Sequence, residues 1–419
     1  MIWFAIGKLS FDRRVIKVLP VIKAKFRRVK DSPLETYSLD ELMGHIDKLY
    51  DQVQEVAYYN IITPLLMQLY HHLFHARLRK AGLDPPTVNV VSGMEAYRQY
   101  EPFSHLKALH DIYQTLDDDL KSQLALEGFS TLKRDPRAEA LYIGIKAFIR
   151  QFGHLSDSGN DFSVAPWREN PDLVLGMVLH HKPQKKSGSG TAFSDLELSP
   201  FTRLALRPLY RKARRFQFLR ESVGSIYTYG YGLFRESYLA IGEQFFEKGI
   251  LTSSTDIFFL SQEEVRQVCL SLDGSGIQEK VENRRKALEE DRGINSPGII
   301  YGDEPAPVSL EEQDILNGTP TSRGRYTGPV RVVQGIKDLG AVEDGDVLVI
   351  PYSDVGWTPL FNRAAAVVAE SGGILSHSSI IAREYGIPAV VAVHGACSLP
   401  NNTRVTVDGY RGEVIIHRD

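Results

Sequence analysis

Only two cysteines occur in the 419 residues, Cys269 and Cys397. Two thiols so far apart form neither a disulfide framework nor the spacing of a metal site, which suits a reducing cytosol. An excess of charge of one sign is missing too. The net charge is -3 with 24% charged residues, so composition makes no general case for a nucleic-acid partner. No apolar run approaches the roughly 20 residues that span a bilayer. No internal repeat is seen. The start also lacks the order of a secretory leader, because its positive charges follow the apolar "MIWFAIG" where a leader places them before it. These absences lead to the expectation of a cytoplasmic protein with no transmembrane segment and no metal of its own.

What is present fits two or three domains. Between Lys8 and Lys30 stand nine Lys or Arg and one acid, Asp12. Such a segment is either a helix for a membrane surface or acidic partner, or the solvated face of an ordinary helix. Residues 1–295 read mostly as helix. In "SLDELMGHIDKLYDQVQEVAYYNIITPLLMQLYHHLFHARLRKAGL" apolar residues recur at three and four, with Ser38 and Glu41 placed as a capping box and Gly82 as the stop. "DIFFLSQEEVRQVCLSL" reads as a short strand or turn, then a helix capped by Ser261. "HKPQKKSGSGT" has the composition of a flexible loop. A linker rich in prolines and acids is expected over 296–315. From 316 to 419 the pattern changes to short apolar runs, "GPVRVVQ", "DVLVIPY", "AAAVVAE", "AVVAVH", "RVTVDG" and "EVIIH". The expected architecture is a multidomain protein: a mostly α-helical N-terminal body and a compact C-terminal α/β domain.

One histidine stands out in "RAAAVVAESGGILSHSSIIAREYGIPAVVAV". A buried strand runs into Gly372-Gly373, and a helix starts near Ser376 or Ser378 and ends at Gly386 before Pro388. His377 then lies in the first turn, where amide N–H groups and the helix dipole favour an anion. The glycines let backbone approach that anion. The same positive end disfavours the imidazolium, and a neutral ring can attack phosphorus. On residue chemistry alone, such a histidine is also, and more commonly, a helix cap or a surface residue.

The stretch resembles the signature of the mobile phosphohistidine domain of PEP-utilising enzymes: a Gly-Gly run, Ser-His, a helix with Ala-Arg-Glu, then Gly-Ile-Pro-Ala-Val. The similarity extends through "LNGTPTSRGRYTGPVRVV", "GDVLVIPYSDVGWTPLF" and "VTVDGYRGEVII". One departure is Ser378-Ser379, where that family commonly has alanine or glycine. "FGHLSDSGNDFSVAPWRENP" and the Arg-rich segment from 211 to 265 resemble the helical acceptor-binding domain of rifampin phosphotransferases. Here the departures are Leu155 and Asn160-Asp161-Phe162, which speak against a rifamycin acceptor.

The resemblance implies that the C-terminal domain swivels and that His377 carries a phosphoryl group. It implies Gly372, Gly373, Ser376, Ser378, Glu370 and Arg383 as residues that bind phosphate or orient the histidine. Acceptor-site candidates are His154, Asp157, Asp161, Arg168, Arg220 and Arg235. Trp357 and Pro359 are expected either to shape a docking face or to pack locally. No glycine-rich loop with lysine is found. The expected activity is therefore a dikinase-type phosphotransferase completed by an ATP-grasp protein in trans, which would bring ATP and Mg2+ and dock against the N-terminal edge. A small-molecule acceptor would be bound by the helical domain, 1–295. The alternatives are a phosphocarrier or regulatory protein without terminal chemistry, and a truncated remnant that only binds a ligand or partner.

Overall fold

The computed structural model describes residues 10–83, 99–100, 102–158, 161–181, 192–291, 314–353, 355–374 and 376–417. The apolar start 1–7, the loop 182–191 and nearly all of the expected linker 296–315 lie outside the described residues. The helices α1 (Phe11–Lys30), α2 (Leu39–Lys80), α3 (Pro102–Gln114), α4 (Asp118–Glu127) and α5 (Phe129–Arg134) come first. They are followed by α6 (Glu139–Phe152), α7 (Pro171–Leu179), α8 (Pro200–Glu247), α9 (Gln262–Ser271) and α10 (Ile277–Asp291). The strands are β1 (Ile315–Asn317), β2 (Thr319–Ser322), β3 (Arg325–Val332), β4 (Val347–Ile350), β5 (Ala366–Ala369), β6 (Ala389–Val391), β7 (Arg404–Asp408) and β8 (Glu413–His417). Helix α11 (Thr358–Phe361) links β4 to β5, and α12 (His377–Tyr385) links β5 to β6. A mostly helical N-terminal region and a C-terminal α/β region are thus both present. Among the described residues no helix is long and apolar enough to cross a membrane.

Local chemistry sets several of these boundaries. At the start of α2, Ser38 Oγ accepts the Glu41 N–H and the Glu41 carboxylate accepts the Ser38 N–H at 2.7 Å. Ser261 and Glu264 repeat the device at α9. Before α9, residues Ser254–Phe259 form a 3-10 turn, with Asp256 accepting the Ser253 N–H; a strand is not formed there.

The chain divides into two compact units. The first contains α1, α2, α8, α9 and α10 together with residues 161–163. Helix α1 buries Phe11, Val15, Leu19, Ile22 and Phe26 at intervals of three and four, and its basic residues are mostly exposed. Phe26 lies over Gly230 of α8, where an added Cβ would overlap the ring. The one acid of α1, Asp12, is buried and is held by Lys212 at 3.0 Å and Arg215 at 3.1 Å.

The second unit joins α3–α7 to the whole sheet. The sheet order is β1-β8-β7-β3-β4-β5-β6-β2. Strands β3, β4, β5 and β6 run parallel, and the remaining pairings are antiparallel. β4 and β5 are buried on both faces, as their unbroken apolar runs require. Val347, Val349, Ala366 and Val368 share one core with β7 and β8. Leu348, Ile350, Val367 and Ala369 face a second core, built with Leu106, Leu141, Phe148 and Trp167 of the α3–α7 region. Alternate residues of one strand therefore seal two cores, so the carboxyl ends of β4 and β5 are held rigidly. The loops that follow those ends carry Thr358 and His377.

Candidate functional site

His377 is the first residue of α12. Ser376 caps the helix, its Oγ accepting the Ser379 N–H, and Gly386 closes it in a left-handed conformation. The Ser376 hydroxyl also lies 3.0 Å from Ser378 Oγ and 2.9 Å from Ser379 Oγ. Ser379 Oγ donates to the Gly373 carbonyl at 2.7 Å. Ser378 and Ser379 are fully buried, so the two serines that depart from the family's small residues serve as internal ties between helix and loop.

The loop before the helix needs its glycine. Gly372 has φ of 127°, a backbone conformation that glycine adopts without strain. A side chain added at Gly373 would meet nothing within 4 Å, so that side of the loop is open. Arg383 reaches back along the helix, its Nε donating to the Ser379 carbonyl at 2.8 Å and its Nη2 to the Ile374 carbonyl. This guanidinium fastens the loop to the first turns. Glu370, at the end of β5, accepts the Cys397 N–H at 2.8 Å. Burial, and then the neighbouring Glu370, push the Cys397 thiol up to about 12.

The histidine ring is half-buried. Thr358 Oγ1, at the start of α11, lies 3.0 Å from His377 Nε2, and the Phe361 ring stands edge-on to the imidazole at 6.3 Å. A hydroxyl can donate to a bare nitrogen or accept from a protonated one, so this contact fixes the ring plane for either tautomer. Thr358 was not among the residues singled out from the sequence. It is 19 positions from His377, and nothing in its local pattern announces a histidine partner. In the stretch "DVGWTPLF" the sequence pattern points only to Trp357 and Pro359.

Trp357, fully buried, connects α11 to the residues after α6. Its indole N–H donates to the Asp157 carbonyl at 2.8 Å. The Ser156 carbonyl lies so near Gly356 that an added Cβ would be 2.5 Å from it. The Asp157 carboxyl group accepts from the Ile336 amide, and burial raises its pKa, opposed by that bond and by Lys337 and assisted by Asp338. His154 and Arg168 sit on the same pair of loops, joined by backbone bonds from Trp167 to Leu155 and from Arg168 to Gly153. The second unit therefore brings together His377, Thr358, Trp357 and the 153–157 loop.

The other acceptor candidates belong to the first unit. Asp161 folds its carboxylate onto the Ser163 N–H and hydroxyl. Arg220 pairs with Glu221 at 2.5 Å. Arg235 is buried, donates to the Phe162 and Ser163 carbonyls at 3.2 and 2.6 Å, and lies 5.0 Å over the Phe258 ring. Among the described residues no group of three or more His, Cys, Asp or Glu could hold a metal ion.

Residues 342–412 match the PEP-utilising enzyme mobile domain family. This region contains α11, the glycine pair, His377 and Arg383. A rifampicin phosphotransferase of Bacillus cereus is 31% identical over 296 residues, covering 64% of this chain and 34% of its own length. One from a Streptomyces species is 25% identical over 410 residues, covering 84% of this chain and 47% of its own. An uncharacterised protein of Mycobacterium tuberculosis is 32% identical over 286 residues, covering 66% and 32%. The chain thus spans between a third and a half of the length of these relatives.

Proposed function

For a chain that carries the PEP-utilising enzyme mobile domain and belongs with the rifampicin-phosphotransferase-like proteins, we propose a phosphohistidine phosphotransferase in which His377 is the carrier. The observation that carries the reading is the position of that ring. It stands at the first residue of a helix, behind an open glycine loop, with one nitrogen held by Thr358.

In the first half-reaction a ring nitrogen attacks the β-phosphorus of the donor, forming P–N as the bond to the α–β bridging oxygen breaks and AMP leaves with the electron pair. Water then attacks the γ-phosphorus, the β–γ bridge breaks and inorganic phosphate leaves, so that one phosphoryl group stays on the ring. In the second, an acceptor oxygen attacks the same phosphorus and the P–N bond breaks. The acceptor's proton passes to a base as the imidazole is returned. The residues of this chain hold the ring plane, through Thr358 and Phe361, and keep the amide-lined loop in shape, through Ser376, Ser379 and Arg383. The helix dipole at this N-terminus favours the dianionic group that arrives.

The donor is ATP, loaded by an ATP-grasp protein acting in trans with Mg2+. The acceptor is a small molecule with a hydroxyl or carboxyl group. His154, Asp157 and Arg168, on the loops beside Trp357, are proposed for its site; Asp161, Arg220 and Arg235 are candidates for a separate site within the first unit, as the alternative to it. A phosphocarrier without terminal chemistry is the second reading. The α3–α7 helices that share a core with the sheet favour the enzyme, since a bare carrier has no use for them.

The test is labelling of the chain with ATP radioactive at the β position, with and without an ATP-grasp protein, beside His377→Ala. Acid-labile, alkali-stable label that requires His377 supports the proposal. A label that persists in His377→Ala, or none under any condition, removes it.

A further inference from the structure

Helix α2 has two apolar faces, and among the described residues only one is covered. Leu42, Leu49, Val56, Leu66, Phe74 and Leu78 are buried. On another side Tyr58, Ile61, Leu65, Leu69 and Leu73 are each 40 to 64% exposed. Their spacing of three, four, four and four keeps them within about 120° of one another around the helix. They run for about 22 Å at 1.5 Å per residue. From 58 to 76 there is no Asp, Glu, Lys or Arg to solvate that face.

Charge returns at both ends with opposite sign. Before the stripe come Asp40, Glu41, Asp47, Asp51 and Glu55, with Lys48 the one Lys or Arg among residues 39–57. After it come Arg77, Arg79 and Lys80, all exposed. We propose that this face of α2 is a symmetric interface for a second copy of the chain, paired antiparallel across a two-fold axis near Leu65.

Self-complementarity argues for that occupant. A two-fold axis at the middle of the stripe sets Tyr58 against Leu73 of the other copy and Asp51 against Lys80, so each acidic end meets a basic end. Parallel pairing would set like charges together. The exposed area is also sufficient. At about 200 Å² for a fully exposed side chain, the five residues offer about 500 Å² per copy. A pair then buries about 1,000 Å² before the flanks count, the lower bound of a specific interface. An interface at that limit associates in the micromolar range. The inference stands whether or not His377 carries phosphate.

Sedimentation of the full chain tests it. The wild type should reach twice the chain mass of 47.0 kDa at about 100 µM and dissociate on dilution to about 1 µM. Leu65→Glu with Leu69→Glu should remain monomeric throughout with unchanged circular dichroism. Asp51→Lys should weaken the dimer about tenfold, and adding Lys80→Asp should restore it, a pair that tests the register even if the double glutamate variant folds poorly. A wild type that stays monomeric at about 100 µM overturns the proposal and leaves the stripe to another protein or another segment. So does a dimer indifferent to the glutamates, or one that the charge reversal fails to restore.

Discussion

Replacing Thr358 by valine tests its contact with the His377 ring nitrogen. Thr358 is 1% exposed, and valine fills nearly the same space, so the packing of α11 beneath Phe361 is retained. The change removes the Oγ1 that lies 3.0 Å from Nε2. His377 is only half-buried, so water can replace the hydroxyl at its ring nitrogen. The cost to folding should therefore be below about 1 kcal/mol. The cost to orientation is one neutral hydrogen bond, about 1 kcal/mol, or a factor of about five in the rate at which His377 is phosphorylated. Two assays read this. Long-range proton–nitrogen correlation reports the tautomer of His377 without any chemistry, and should show a less uniform protonation pattern in the variant. Phosphorus NMR of the phosphorylated chain gives the rate. An unchanged tautomer together with wild-type phosphorylation would refute the claim that Thr358 sets the ring. A loss of a hundredfold or more would refute it in the other direction, because a single orienting bond cannot supply that much; the hydroxyl would then be part of the proton path.

Gly230→Ala should lower stability by about 1–3 kcal/mol, read as a lower urea midpoint, since the new methyl group overlaps the Phe26 ring; an unchanged midpoint counts against that packing. His181 is buried, and burial, then His110 and Lys107 against Asp111, hold its pKa down at about 4. The unfolded chain, with a value near 6.5, binds the extra proton first, so this contribution is complete above about pH 6.5 and is lost as pH falls toward 4, by at most about 3 kcal/mol. His181→Phe should flatten that part of the urea midpoint against pH, and an identical profile would dismiss His181 as its source. Burial raises Cys269 to about 11 and Cys397 to about 12, so both thiols should react with a disulfide reagent at pH 8 roughly two orders of magnitude more slowly than a free thiol. Fast reaction of the folded protein would contradict the partial burial that raises both thiols.

What could be read from the sequence follows from how local the cause is. Ser38 and Glu41 cap α2 within four residues, Gly386 and Pro388 end α12 within three, and the apolar runs of β4 and β5 need no partner to be recognised. His377 was legible for the same reason: its glycines, its cap and its helix are neighbours in the chain. Thr358 was not, because its meaning comes from β4 and β5 lying side by side, which brings the loops after both to one edge. Nor was the sharing of a core between Leu348 of the sheet and Leu106 of α3, since an apolar face declares that it will be covered and not by what.

The arginines mark a harder limit. A guanidinium offers the same fork of donors to a phosphate as to two carbonyl oxygens. Whether Arg235 could serve a ligand depends on what the chain itself brings to the fork. Phe162 and Ser163 bring their carbonyls, and Phe258 covers the flat face. No pattern around Arg235 in the sequence points to a loop that begins 73 residues earlier. For an acceptor's phosphoryl group to use that fork, those carbonyls would first have to leave it. Arg220 is committed likewise, its Nη1 donating to the adjacent Glu221 at 2.5 Å. An acceptor that engages Arg235 must loosen residues 162–163, and amide exchange there should rise on binding, whereas tightening at that loop would show that the arginine keeps its structural partners.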